Sequence, residues 1–246
     1  MVPVANIMGI PFPKLTMDQT LSKLSEIVEQ NRSSLFHVIT GNPEIVMRCQ
    51  HDAGLRSIVD EAGLVTADGI GIVLVSRMKG GHLPERVTGC DLLIRLLETG
   101  NRNRKNWSFY LLGADEETSL KAAEAIGRTY PNVTIAGRHH GYFTPEEDEK
   151  IVEDIRRAAP DFLIVALGAP QAELWIHTYR SRLNAKIAMG VGGSLDIIGG
   201  KVKRAPKVWQ DMHAEWLFRL INQPSRWRRQ LILPRFAVSA LLYRER

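Results

Sequence analysis

The amino-acid sequence predicts an α/β fold: a doubly wound, mostly parallel sheet with helices on both faces, followed by a C-terminal basic helical appendage. Three observations carry that expectation. Short apolar runs alternate with segments of helical period, a pattern that goes with parallel strands joined by right-handed crossovers. Most of those runs end in a turn rich in Gly, Asn, Asp or Pro, the residues that let a strand hand over to a helix. Charge is unevenly placed: residues 201–246 hold 11 Lys and Arg against 3 Asp and Glu, whereas residues 1–200 hold 21 against 24. The expected division is therefore an α/β core over 1–200 and a basic amphipathic appendage over 201–246.

Taken in order, VANIMGIPFP forms a short strand and turn. Thr16 followed by Gln19 fits a capping box for a helix running to Asn31, with Leu21, Leu24, Ile27 and Val28 on one face. Leu35 to Ile39 is a strand that ends in Thr-Gly-Asn-Pro, and Pro43 suits the first position of a new helix. Leu64–Thr66 is a strand that stops at Ala-Asp-Gly, ahead of a helix from Ile70 to Lys79. Trp107–Leu112 is a strand ending at Gly113, ahead of a helix from Glu116 to Tyr130. Val133–Ala136 is a strand that leads into the loop RHHGYF and a helix opened by Thr144-Pro145-Glu146. Phe162–Leu167 is a strand ending at Gly-Ala-Pro before a helix from Gln171, and Lys186–Val191 a strand ending at Gly192-Gly193 before a short helix. Lys207 to Asn222 reads as one helix with Trp209, Met212, Trp216 and Leu220 along a stripe, broken by Pro224 and restarted from Ser225. The final segment mixes Arg with Leu, Ile, Phe and Val. It is too charged to span a bilayer and suits either a membrane interface or an amphipathic cap on the core.

Composition narrows the classes. The chain has 246 residues, 44% apolar and 24% charged, ordinary globular values that exclude disordered and collagen-like proteins. Cys49 and Cys90 stand far apart and outside any C-x-x-C pair, so neither a zinc site nor a disulfide framework is expected, and a reducing compartment fits. The N-terminus lacks a basic stretch before an apolar one, so a secretory signal is not expected. No uncharged apolar run is long enough to cross a bilayer.

Ligands of doubly wound sheets bind beyond the carboxyl ends of the strands. That singles out Thr40, Asn42, Asp68, Gly113, Gln171 and Gly192. Gly69-Ile70-Gly71 and Gly190-Val191-Gly192 open a dinucleotide fingerprint, but Leu74 and Leu195 stand where its third glycine belongs. No P-loop motif occurs. The segment GVGGSLDIIGG is either a tight turn or a set of exposed N–H groups for a phosphate. Asp68 is either a helix cap or a general base in a cleft. Arg86 is either a solvated loop charge or a bidentate phosphate ligand. Gln171 either starts a helix or presents its amide to a sugar hydroxyl. The sequence contains no D-x-D, so a metal held by paired carboxylates has no anchor. Arginines at 219, 226, 228, 229 and 235 are available to neutralise a diphosphate instead. His139 and His140 are adjacent, which turns their rings differently and argues against a shared metal. No G-x-S-x-G supports covalent hydrolysis.

Several segments together, in order and spacing, resemble one family. They are ITGNPEIV at 39–46, TADGIGIV at 66–73, PERVTGCDLL at 84–93, LLGA at 111–114, LGAPQAELWI at 167–176 and GVGGSLDIIGGKVKRAPKVW at 190–209, continued by EWLFRLINQPSRWRRQ at 215–230. Over nearly the whole chain they are similar to the bacterial WecG/TagA/CpsF glycosyltransferases. The resemblance implies inverting transfer of an N-acetylmannosamine-type sugar, or its uronic acid, from a UDP donor. The implied acceptor is polyprenyl-diphosphate-linked N-acetylglucosamine at the cytoplasmic face of the membrane, in teichoic acid, common antigen or exopolysaccharide synthesis. It implies no metal and no cofactor. Carried onto this chain, the resemblance makes Asp68 the general base, Thr40 and Asn42 donor-sugar contacts and Gln171 a polar contact near the reacting centre. Arg86 becomes a phosphate contact, Gly192 and Gly193 part of the donor site, and Asp196 the reader of uridine. Arg219, Arg226 and Arg229 then close over the diphosphate, with the tail docked on the membrane as a peripheral protein, or self-associating. Two rivals are a nucleotide-cofactor oxidoreductase and a basic nucleic-acid-binding protein. The incomplete fingerprints oppose the first; the acidic body and the lack of a nucleic-acid motif oppose the second, so no nucleic-acid partner is expected.

Overall fold

A computed structural model describes residues 2–30, 34–212, 215–222, 227 and 231–243. A two-stranded antiparallel hairpin opens the chain, β1 (Val4–Ile7) and β2 (Ile10–Pro13). Helix α1 (Met17–Glu29) follows, with the expected capping box: Thr16 Oγ1 accepts from Gln19 N and Gln19 Oε1 accepts from Thr16 N. It stops two residues short of Asn31. Then come β3 (Phe36–Gly41), α2 (Pro43–Arg48), α3 (Ala53–Asp60), β4 (Leu64–Ala67) and α4 (Ile70–Met78). The central part continues with α5 (Gly89–Arg102), β5 (Ser108–Gly113), α6 (Glu116–Thr129), β6 (Thr134–His139) and α7 (Asp148–Ala158). The last units are β7 (Phe162–Ala166), α8 (Gln171–Tyr179), β8 (Ile187–Gly190) and α9 (Ser194–Ile198). Beyond them lie α10 (Lys207–Asp211), α11 (Glu215–Asn222) and a last helix, α12 (Ile232–Leu242).

Strands β3 to β8 form one parallel sheet in the order β4-β3-β8-β7-β5-β6. Alternate residues point to opposite faces, as the pleat requires. On one face Val38, Phe109, Leu111, Ile164, Ile187 and Met189 pack with apolar residues of α1, α5, α6 and α9. On the other face Ile39 and Val65 pack with the hairpin, α2, α3, α4 and α12. On that same face Tyr110, Leu112, Leu163, Val165 and Ala188 pack with α7 and α8. The sheet is thus doubly wound, with helices on both faces. The tail joins this packing: Phe236 and Ala240 of α12 are buried in the core shared with α2 and α4, and Lys79 Nζ donates to the carbonyls of Ala240 and Tyr243.

Three sequence expectations differ from the structure. The strand expected to end at Ala136 continues through Gly137, Arg138 and His139, because these residues pair with Tyr110, Leu111 and Leu112 of β5 after a register shift. The single helix expected over 207–222 is two, α10 and α11, with Trp209 and Phe218 in ring contact at 5.7 Å between them. Helices α3 and α5, not recognised from sequence, are capped by the Asp52 and Thr88 side chains, and α5 buries Leu92, Leu93, Leu96 and Leu97. The rings of His139 and His140 lie 4.6 Å apart and tilted by 47°. Among the described residues, no helix is long and apolar enough to cross a membrane.

Candidate active site

Adjacent central strands β3 and β8 send the chain to opposite faces: α2 packs on one side of the sheet and α9 on the other. Such a divergence opens a crevice at the carboxyl ends of the strands. A cavity of about 330 Å³ occupies it, walled by residues that follow β3, β4, β7 and β8. Thr40, Asn42, Asp68, Arg86, Gly192 and Gly193 all line it.

Each is held by local geometry. The Thr40 hydroxyl donates to the Gly190 carbonyl at 3.0 Å, tying the ends of β3 and β8 together. Asn42 caps α2, its Oδ1 accepting from Ile45 N at 3.0 Å, so its amide nitrogen takes no part in the cap. Asp68 leaves β4 with its own N–H donated to Gly41 O at 3.0 Å, and its Oδ2 accepts from Gly89 N at 3.2 Å. Glycine suits that close approach, since a Cβ at position 89 would lie a tight 3.2 Å from both Thr40 Cγ2 and Val191 Cα. The carboxylate is thereby oriented at the cavity wall, half-buried, where it can accept a proton.

The cavity mouth is electrostatically paired. Arg86 Nη1 donates to Glu215 Oε2 at 2.8 Å, and Arg86 Nη2 lies 3.9 Å from Asp91 Oδ2. Arg204 bonds Asp91 and comes within 4.0 Å of Glu215. Glu215 and Trp216 of α11, with Ile232 and Leu233 of α12, complete the wall from the tail. A neighbouring groove of about 1070 Å³ shares Ile70, Arg86, Arg204 and Trp216 with the cavity.

Two expected residues stand off the wall. Gln171 is exposed at the first position of α8, and Asp196 lies in α9 behind Gly193, where a Cβ would meet its Oδ2 at 3.3 Å. The side chain of Arg219, and the whole of Arg226 and Arg229, lie outside the described residues. Sequence reasoning missed Arg204, Glu215 and above all Glu173. Glu173 lines the cavity at 2% exposure, and its Oε2, closed off from solvent behind that wall, has no hydrogen-bond partner among the described residues. Burial, with a smaller push from the Glu44 carboxylate, raises its pKa to about 7. Among the described residues no three His, Cys, Asp or Glu side chains gather into a metal-holding group.

Comparison with known proteins fits this geometry. The model of the glycosyl transferase WecG/TagA/CpsF family matches residues 5–246. The chain belongs to that family. It is similar to proteins named N-acetylglucosaminyldiphosphoundecaprenol N-acetyl-beta-D-mannosaminyltransferase. One, from Bacillus spizizenii, is 36% identical over 219 residues, 89% of this chain and 82% of the relative. One from Bacillus subtilis is 35% identical, covering 83% and 78%. One from Staphylococcus aureus is 32% identical, covering 94% and 89%. The WecG/TagA/CpsF member described here is therefore an enzyme, a glycosyltransferase. In this glycosyltransferase the family match runs through α11 and α12, the tail elements that wall the cavity.

Proposed function

We propose that the protein transfers an N-acetylmannosamine-type sugar, or its uronic acid, from a UDP donor to polyprenyl-diphosphate-linked N-acetylglucosamine, with inversion and without a metal. One observation carries the reading: a carboxylate, Asp68, and two guanidinium groups, Arg86 and Arg204, line one cavity at the strand ends of a glycosyltransferase. The names of the similar Bacillus and Staphylococcus proteins supply the substrate class.

The chemistry follows from charge. Asp68 takes the proton of the acceptor hydroxyl as that oxygen attacks the anomeric carbon. The bond from that carbon to the diphosphate oxygen breaks on the opposite face, and UDP leaves. A single displacement with one base inverts the centre. The departing diphosphate gathers negative charge, which Arg86 and Arg204 stabilise by exchanging Glu215 for phosphate oxygens. Thr40 and Asn42 position the sugar, the Gly192-Gly193 backbone approaches the diphosphate, and Arg219, Arg226 and Arg229 add charge from the tail. Asp196 and Gln171 are assigned to uridine and to a polar contact at the rim.

The acceptor lies in a membrane, and the tail suits docking there as a peripheral protein. Val208, Met212, Ile221, Trp227, Val238 and Leu242 are exposed on it, interspersed with arginines. Each Lys or Arg near an anionic surface contributes roughly 1 kcal/mol. The test is a screen of UDP-sugars with purified protein and a short-chain prenyl-diphosphate-linked N-acetylglucosamine, with and without chelator. Transfer from UDP-N-acetylmannosamine that survives chelation is expected; transfer abolished by chelation contradicts the metal-free step. Sedimentation with anionic but not neutral vesicles is expected for the docking role, and equal sedimentation with both removes it.

A further inference from the structure

The cavity wall contains a polar group that the proposed transfer has not used. We propose that Glu173 is a donor-specificity residue: its carboxyl group reads hydroxyls of the sugar being transferred, not the nucleotide that carries it. The assignment rests on the glycosyltransferase reading above and names the part of the donor that this wall contacts.

The first support is satisfaction. Buried polar atoms are almost always hydrogen-bonded, and an orphan calls for an explanation. Glu173 Oε2 is such an orphan among the described residues, in a side chain 2% exposed that nonetheless lines the cavity. A ligand that enters the cavity supplies the missing partner.

The second is construction. A Cβ at position 190 would lie 2.7 Å from Glu173 Oε1, so the carboxyl has its place only because β8 ends in glycine there. The carbonyl of the same Gly190 accepts from the Thr40 hydroxyl. Glu173, Gly190 and Thr40 thus form one continuous wall, leading on through β3 to Asn42 and across to Asp68.

The third is charge. Among the described residues Glu173 has no ion pair, and its electrostatic neighbour is another carboxylate, Glu44, which also lines the cavity and is paired outward with Arg48 at 3.2 Å. A diphosphate has no reason to lie against two carboxyl groups. It has every reason to lie at Arg86 and Arg204. Hydroxyl groups donate as well as accept, so they pair with a carboxyl group in either protonation state. Burial holds the Glu173 pKa near 7, which keeps a neutral, donating form available at physiological pH. The pyranose, between base and leaving diphosphate, is the part of the donor that meets this wall.

Titration calorimetry of the full chain with UDP and with UDP-N-acetylmannosamine tests the assignment. Glu173→Met keeps the volume and removes both oxygens; Glu173→Gln restores one acceptor and a donor. The expected result is that the E173M protein binds UDP within about twofold of wild type and the UDP-sugar ~10-fold or more weakly, with E173Q recovering part of the loss but not all of it. Thermal melting establishes that each variant is folded, and should E173M not fold, E173Q must itself show the selective loss. Equal weakening for both ligands assigns the carboxyl to the nucleotide and overturns the proposal, as does unchanged binding of both. If wild-type protein binds neither ligand, the UDP-donor reading falls and this one with it; if it binds both, only the variants decide.

Discussion

Asp161 and Glu173 stand at opposite ends of the same strand, one just before β7 and one in the helix after it. Asp161 is saturated: it accepts from Ser108 N at 2.8 Å and Ser108 Oγ at 3.1 Å, and pairs with Lys186 Nζ at 2.8 Å. Lys186 also donates to Val28 O, so the starts of β5, β7 and β8 are clamped around one carboxylate. Glu173, the more deeply buried of the two, has an oxygen with no such partner among the described residues. Both are enclosed carboxyl groups of one core. What separates them is bonding: Ser108 and Lys186 meet both oxygens of Asp161, whereas one oxygen of Glu173 meets no partner among the described residues. Burial alone therefore does not sort structural groups from working ones; an unmet oxygen beside a cavity is the added mark that Glu173 carries.

The largest expected effect lies at the open end. Asp68→Asn should cut turnover by about 10²–10⁴-fold while UDP affinity stays put, and Asp161→Asn should leave turnover per folded molecule unchanged. An unaltered rate in the first variant would put the base elsewhere. Next comes pH. The folded pKa of Glu173 is raised to about 7 from 4.5, so its contribution to stability is full below pH 4.5 and is lost as pH rises through 7. Glu44, Asp68, Arg86, Arg204 and Glu215 are the charged groups sharing its cavity. Urea unfolding at pH 5 and pH 8 should show Glu173→Gln gaining on wild type at the higher pH by on the order of 3 kcal/mol, and a constant difference would break the contrast with Asp161. Asp161→Ala should cost about 1–3 kcal/mol of stability, since it takes the acceptor from the part-buried Ser108 N–H and the partner from Lys186. The smallest effect belongs to Glu215. Glu215→Gln releases Arg86 from a pair worth roughly 0.2–1 kcal/mol, so UDP should bind up to about fivefold more tightly; weaker binding would mean that Glu215 aids the ligand instead.

Much of this was readable before any coordinates. Strand ends announce themselves through Thr-Gly-Asn-Pro, Ala-Asp-Gly and Gly-Gly, and those signals single out Thr40, Asn42, Asp68, Gly113, Gln171 and Gly192; all but Gly113 and Gln171 line the cavity. Glu173 stayed hidden for a physical reason. In GAPQAELW it reads as an ordinary acidic residue in a first helical turn, where the dipole favours it and water normally surrounds it. Its burial is set by Gly190, on a different strand, and a linear pattern does not report that approach. The exposed Gln171, two residues earlier, carries the same local signal with none of the enclosure. The Arg86–Glu215 pair joins residues 129 apart in sequence, so only the folded chain reveals it. Helix α5 was overlooked because its opening Gly-Cys-Asp and closing Thr-Gly-Asn read as turns, although its four buried leucines recur at helical spacing.

The burial of Phe236 has a consequence for the life of the molecule. Helices α2 and α4, whose first residues border the crevice, share their packing with a side chain from near the end of the described chain. A ribosome must therefore deliver residues 232–242 before those two helices reach their final support. The crevice is walled in full only once α12 has packed back onto α2 and α4, so its shape depends on a contact between distant stretches of the chain.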